Sequence, residues 1–423
     1  MKSKSFRKNL ITFLTGTAAA QAILVLISPI LSRLFTPTEF GELSIYTSIF
    51  MVLSVLVTLR YEQAIIIAKS EQEAMQVLKI CLIISFVLSI SLMLLLYFFK
   101  SSFLAIMDIS TGATWIWLIP ISMLALGLYQ SLNYWSTRRA QYKLLSRSLM
   151  FRSTSMSTVQ ILSGFLKLGN NGLIIGQVIG QVIASIVLFI QVLTIDKKVF
   201  FNSKLTLKTI KKTIISFKEF PIFNAPQGLI DTFSRNMIPF FFVAYYGTSI
   251  AGYYAMAAKM IQIPFDLIGN SIFQVFYPKI TEDFNEGKDI FKNTKKIIFY
   301  MSLISVLFIA VIAIGGPWIF EIFLGANWGI AGEYGRWIII SFVASFVTKP
   351  VVAIIRLFKL QHLHLIFEIL LLILRCSILV IGGQILSPVE TLMYYSMTSL
   401  LFYGALIIFI LTKIKKKGIN IKI

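Results

Sequence analysis

The chain is poor in the residues that do chemistry. Its 423 residues include two histidines and two cysteines, and only 13% are charged. Cys81 and Cys376 both sit inside apolar runs, so neither a disulfide nor a thiolate metal site is expected. His362 and His364, two apart in a short connector, make a poor metal site by themselves. No phosphate-cradling glycine loop with its lysine occurs, so the chain is not expected to hydrolyse ATP. Long polar connectors are also missing. The longest on the less basic side, residues 316–332, is too short for the catalytic loop of a membrane glycosyltransferase or ligase. No catalytic residue, metal ligand or cofactor is assigned, and the chain is not read as an enzyme.

Apolar sequence is what the chain has in abundance. Hydrophobic residues make up 57%, with a mean hydropathy of +0.83. A soluble domain is nearer half apolar and a quarter charged. About 20 apolar residues cross a bilayer as a helix. Such runs fall at 9–34, 41–68, 77–99, 114–136, 149–167, 173–195, 221–244, 249–275, 294–315, 333–358, 364–386 and 389–412. They predict an all-α integral membrane protein with 12 transmembrane helices. The fifth run, around Ser153 to Ser163, is the most polar. The first run has a basic flank and contains Ala20-Gln21-Ala22, but it is too long for a signal peptide and reads as a retained helix.

The 39 lysines and arginines alternate with these runs. Every second connector is basic: Lys2 to Lys8, Lys69 and Lys79, Arg138 to Arg152, Lys197 to Lys218, Lys279 to Lys296, Arg356 and Lys359, and Lys413 to Lys422 hold 30 of them. The opposite side has four, Arg33, Lys100, Lys167 and Arg336. This is the positive-inside pattern of a multi-pass protein, with both termini in the cytoplasm. The net charge of +21 (39 − 18) therefore reflects basic loops facing the anionic inner leaflet rather than nucleic-acid binding.

The widest basic connector divides the chain into equal halves: an N-terminal six-helix lobe over 1–196, a linker over 197–220, a C-terminal six-helix lobe over 221–412, and a basic tail over 413–423. Within the linker, Leu205 to Phe217 with lysines at 208, 211 and 212 is an amphipathic pattern suited to the membrane surface. Ser28-Pro29 with Gly41 in one half parallels Ile238-Pro239 with Gly252 in the other, 12 and 13 residues from proline to glycine. Two pseudo-symmetric lobes follow, with a solute path expected between them.

Nine ionisable residues fall inside the runs: Arg60, Arg235, Lys259, Lys349 and Arg375, with Glu62, Asp231, Asp266 and Glu368. A charge at bilayer centre costs about 2.5–3.5 kcal/mol, so each needs a polar partner, water or a ligand. Structural pairing is one reading; Asp231 and Arg235, four apart, share a helical face. Lys259 with Asp266, and Glu368 with Arg375, are two turns apart, while Arg60 and Glu62 point to different sides of one helix. Arg60 and Lys349 can also snorkel to an interface. The functional reading makes Arg60, Arg235, Lys259 and Arg375 the lining of a hydrated anion cavity, because guanidinium groups suit phosphate. Glu62, Asp231, Asp266 and Glu368 are then candidates for coupling to protons or sodium.

Prolines at 29, 120, 226, 239, 264 and 350 predict kinks, which suit packing or rocking between two open states. Trp115, Trp117, Trp135, Trp318, Trp328 and Trp337 lie near run ends, as interfacial anchors do.

Arg60-Tyr61-Glu62-Gln63-Ala64-Ile65 resembles an arginine-aromatic-glutamate motif of bacterial polysaccharide flippases. Arg33 to Gly41 is similar to their first turn. The stretch Phe220-Pro221, Asn224, Asp231, Pro239, Gly247, Gly252-Tyr253-Tyr254, Lys259, Pro264, Ser271, Gln274, Pro278 is similar to their central region. These are O-antigen and capsule repeat-unit translocases, within the multidrug/oligosaccharidyl-lipid/polysaccharide exporter superfamily. The resemblance implies flipping of a polyprenyl-diphosphate-linked oligosaccharide from the inner to the outer leaflet of the bacterial inner membrane. It implies alternating access through a cationic central cavity, with polysaccharide polymerase machinery as a candidate partner. Two alternatives stay open: an ion-coupled exporter of amphipathic cations from the same superfamily, and a membrane-embedded enzyme of polysaccharide assembly.

Overall fold

The computed structural model describes residues 3–106, 113–203, 205–358 and 360–420. Lys2, Lys204, Lys359 and Lys422 of the basic connectors lie outside the described residues, as do the side chains of residues 3–14, Gln274, Pro278 and residues 416–420. Among the described residues every regular element is helical. Eight helices are long and apolar enough to cross a membrane. The chain is a multi-pass membrane protein, and it forms two compact units, 1–240 and 241–423.

The first unit contains α1 (Ser3–Leu34), α2 (Pro37–Ser54), α3 (Ala64–Ile67), α4 (Glu71–Ile106), α5 (Leu118–Arg138), α6 (Tyr142–Phe165), α7 (Gly169–Asn202), α8 (Leu207–Ser216) and α9 (Ala225–Asn236). Short polar turns start these helices in recognisable ways. Thr36 caps α2 in a capping box with Glu39, and Pro37 takes the first position, where a missing N–H does no harm.

Small residues decide the packing. Gly16 of α1 faces Ser146 of α6, and Gly164 of α6 faces Leu34, so the two helices run side by side in the same direction. Returning alongside α6, α7 sets Gly172 against Ser163, Gly176 against Gln160 and Gly180 against Met156. Helices in lipid associate through such close contacts because apolar burial does not favour association there. This explains the polar fifth run. Ser148, Ser153, Ser157, Gln160 and Ser163 of α6 are buried within the unit rather than turned to lipid.

The second unit contains α10 (Ile238–Tyr246), whose first turn precedes the boundary, followed by α11 (Thr248–Asn285), α12 (Ile290–Leu324), α13 (Gly329–Leu357), α14 (Gln361–Ile385) and α15 (Pro388–Asn420). Its most enclosed helix is α13, packed on α11, α12 and α15. Backbones touch where α12 and α13 cross: a Cβ added at Gly332 would lie 2.5 Å from the Pro317 Cα.

Four features differ from the sequence expectations. The second crossing is not one helix: α2 ends at Ser54, and Leu59 (φ 50°) and Arg60 (φ 63°) adopt the left-handed region before a 3-10 turn over Tyr61–Gln63. Around residue 237 the seventh crossing breaks as well, after a π-helical turn at Phe220–Asn224. Three of the prolines, at 120, 226 and 239, sit in first turns and open helices rather than kinking them. Finally, Trp115, Trp135 and Trp328 are fully buried rather than at a lipid interface. The Trp115 indole N–H donates to Glu42, the Trp135 indole N–H donates to Asp196, and Trp328 packs edge-on against Tyr253.

Candidate functional site

In the first unit the site begins at the break in the second crossing. Irregular backbone at membrane depth persists only where protein or a hydrated cavity receives it. Here the 3-10 turn buries Tyr61 and Glu62, and the Thr58 hydroxyl donates to the Glu62 carboxylate. Arg60 Nη1 lies 3.8 Å from Glu62 Oε1, a loose ion pair, and the Arg60 Nε is buried without an acceptor. The left-handed backbone, not a helical face, sets the relative directions of these two side chains. From α5, Arg138 donates to the carbonyls of Ile65 (2.9 Å) and Ile66 (2.8 Å), closing the end of α3.

The start of the seventh crossing meets this break directly. The Asn224 side-chain amide donates to Gln63 Oε1 at 3.0 Å. One turn on, Gly228 gives the Arg60 guanidinium its place: a Cβ there would stand 2.7 Å from Nη2 and 3.0 Å from Nε. Asn224, Gly228, Asp231 and Arg235 recur at spacings of four, three and four, which is one face of a helix. Asp231 and Arg235 form the expected intrahelical pair, Nε to Oδ1 2.8 Å, with both side chains largely exposed.

In the second unit Lys259 has neither hydrogen bond nor ion pair among the described residues. It does not reach Asp266. Instead Lys349 of α13 contacts Asp266 Oδ1 at 3.3 Å and Asn270 Oδ1 at 3.0 Å, while the Gln262 amide donates to Asp266 at 3.0 Å. Lys349, expected to snorkel, is therefore a partner inside the unit. Glu368 lies 3.4 Å from His364 Nε2, one turn away on α14. Arg375 is 4% exposed; its Nε and Nη2 lie 3.1 and 2.9 Å from the Ser399 hydroxyl, and its guanidinium stands over the rings of Tyr395 and Tyr403. Aromatic faces and a hydroxyl disperse that charge without neutralising it.

Two residues escaped the sequence reading. Asp196, the last residue assigned to the first lobe, is 3% exposed and accepts from the Trp135 indole N–H (3.0 Å), Arg139 (2.6 Å) and Gln141 (3.3 Å). Arg139 also pairs with Glu71. The hydrogen bond that Arg139 donates to Asp196 leads in holding the Arg139 guanidinium pKa above its ordinary value. Arg152, counted with a basic connector, lies ten residues into α6, about 15 Å along its axis. Its signal was the polar fifth run, which begins earlier than hydropathy alone suggests.

The helical fold is similar to that of solved MOP superfamily transporters. The lipid II flippase MurJ in an inward closed conformation matches with a TM-score of 0.73 at 14% identity, over 97% of this chain and 91% of that one. An inward-facing multidrug resistance MATE family transporter matches at 0.70 and 13% identity, over 95% and 96%. A MOP superfamily transporter from Pyrococcus furiosus, described as having a binding pocket of reverse polarity, matches at 0.60 and 13%, over 97% and 96%. No curated protein matches the sequence. Residues 30–331 match the polysaccharide biosynthesis protein family, and the chain belongs to it. It is a multi-pass membrane protein of that family.

Proposed function

We propose that the protein flips a polyprenyl-diphosphate-linked oligosaccharide, an O-antigen or capsule repeat unit, from the cytoplasmic to the outer leaflet of a bacterial inner membrane by alternating access. Its basic connectors and both termini then face the cytoplasm. Arg60 and Arg235 in the first unit, and Lys259 and Arg375 in the second, are the cations that meet the diphosphate. Glu62, Asp231, Asp266 and Glu368 are the candidates for proton or sodium coupling. The observation that carries the reading is Arg60. It sits on a left-handed break, against a glycine that leaves it room, with a buried Nε lacking an acceptor. A planar guanidinium held this way offers paired donors to a phosphate oxyanion.

A carrier of cationic drugs would place an unpaired acid where this chain places Lys259, which has no ion-pair partner among the described residues. The test is flipping of a defined lipid-linked oligosaccharide by the protein in proteoliposomes, together with the surface polysaccharide of a deletion strain. Drug sensitivity with intact surface polysaccharide would replace this reading by the exporter one.

A further inference from the structure

The linker helix α8 is held against the rest of the first unit by named contacts. Thr213 is buried on its docked face, and Phe217 packs against the apolar cluster that includes Tyr61, Met75 and Leu78. The Tyr61 hydroxyl donates to the Ile214 carbonyl at 3.3 Å. That carbonyl is one of the last four of α8, which a helix leaves without donors of its own. Just before α8, the Lys79 ammonium of α4 donates to the Ser203 carbonyl at 2.6 Å and lies over the Phe200 ring. These contacts fix the level of α8. Lys79 stands near the start of α4, and one turn further on the outward-facing apolar side chains begin, Ile83, Phe86, Val87 and Ile90. The linker helix therefore lies beside the edge of the apolar belt.

Its opposite face is free. Leu207, Lys208, Lys211, Lys212 and Ile215 fall within an arc of about 140° that points away from Thr213. All five are exposed, Leu207 by 86%. None of the three lysines has an ion pair among the described residues. Among the side chains outside the description only Asp108 is acidic, and it follows the far end of α4. Lysines interleaved with exposed leucine and isoleucine match a headgroup layer, where the apolar side chains reach the acyl boundary and the ammonium groups meet phosphate. Tyr61 makes this face more than an anchor. It follows Arg60 directly, so a displacement of α8 pulls on the left-handed break.

We infer that α8 is a sensor of membrane charge. Anionic phospholipid headgroups bind Lys208, Lys211 and Lys212, and the Tyr61 bond carries their occupancy to the break that sets Arg60. The effect on flipping rests on the function proposed above; the binding of headgroups does not.

The test uses the full-length protein in nanodiscs of phosphatidylcholine, alone or with phosphatidylglycerol, and follows amide hydrogen exchange over 205–217 and 58–65. Flipping is measured in proteoliposomes of the same two compositions. Each lysine beside an anionic surface tightens attachment about fivefold, so phosphatidylglycerol should slow exchange over 205–217 by at least about tenfold. Exchange over 58–65 should slow with it, and flipping should rise several-fold. All three responses should vanish when Lys208→Gln, Lys211→Gln and Lys212→Gln are combined. In Tyr61→Phe the response of 205–217 should persist while those of 58–65 and of flipping are lost. Parental exchange over 205–217 indifferent to phosphatidylglycerol overturns the lipid surface, as does a response that survives the triple variant. Sodium phosphate that reproduces the protection in phosphatidylcholine assigns the lysines to a soluble anion and also overturns it. If 58–65 and flipping still follow the lipid in Tyr61→Phe, the coupling is overturned. Absence of flipping in both membranes, with the exchange responses intact, fails the transport reading and supports the lipid surface.

Discussion

Gly228→Ala should separate transport from stability. The added Cβ would stand 2.7 Å from Arg60 Nη2, 3.0 Å from Nε and 3.1 Å from a Val55 methyl. Ordinary contact is about 3.5–4.0 Å, so the guanidinium must retreat by about 1 Å. The obstructing atoms are mainly the far end of a flexible side chain, so retreat costs little. Alanine also stabilises a helix interior by about 0.5–1 kcal/mol relative to glycine. The two effects nearly cancel, and the melting temperature should move by no more than a degree or two. Export of the oligosaccharide should nonetheless fall several-fold, because Arg60 no longer occupies its place. Gly332→Ala is the contrasting case. Its Cβ meets the backbone of Pro317, which cannot turn aside, and overpacking of this kind costs about 1–3 kcal/mol. Gly404→Ala, with nothing within 4 Å, is the control for the glycine-to-alanine change itself. The assays are thermal unfolding in detergent and flipping in proteoliposomes, each also in an Arg60→Ala background. Residues acting through one another are non-additive, so Gly228→Ala should add nothing once Arg60 is gone. If it lowers flipping equally in both backgrounds, or leaves the parent rate intact, the positioning of Arg60 by Gly228 is refuted.

Alanine at Arg60, Arg235, Lys259 or Arg375 should impair export while membrane insertion is preserved; parental flipping by all four variants would refute the site. Asp196→Asn removes the charge that Arg139 pairs with and weakens the bonds from Trp135 and Gln141, so unfolding should occur with about 1–3 kcal/mol less stability, read from thermal melts. A dianionic head group moving outward travels with an inside-negative potential, and at 100 mV its two charges gain about 4–5 kcal/mol. In proteoliposomes without ion gradients, an imposed potential should therefore accelerate flipping, and a rate indifferent to potential would exclude a potential-driven cycle.

Membrane class was readable because lipid imposes a composition on long helices, as the apolar runs of α4, α12 and α14 show. Periodicity also marked the Asp231–Arg235 pair, since local spacing suffices for contacts within one helix. It failed where tertiary contacts decide. Nothing in Leu59-Arg60 announces a left-handed backbone, because neither residue is glycine; the break is held by packing of Tyr61, Ala64 and Ile65 against α4 and α5. The partner of Asp266 proved to be 83 residues away at Lys349. Arg152 was hidden because a polar helix enclosed by other helices has the hydropathy of a loop.

The polar face of α9 has a consequence for any anion that touches it. Arg60 rests at the level of Gly228, and Arg235, rooted seven residues further on, reaches back one turn to hold Asp231. If both guanidinium groups receive the diphosphate as proposed, Arg235 must first let go of Asp231, and an arriving anion would exchange one partner for another rather than fill an idle socket.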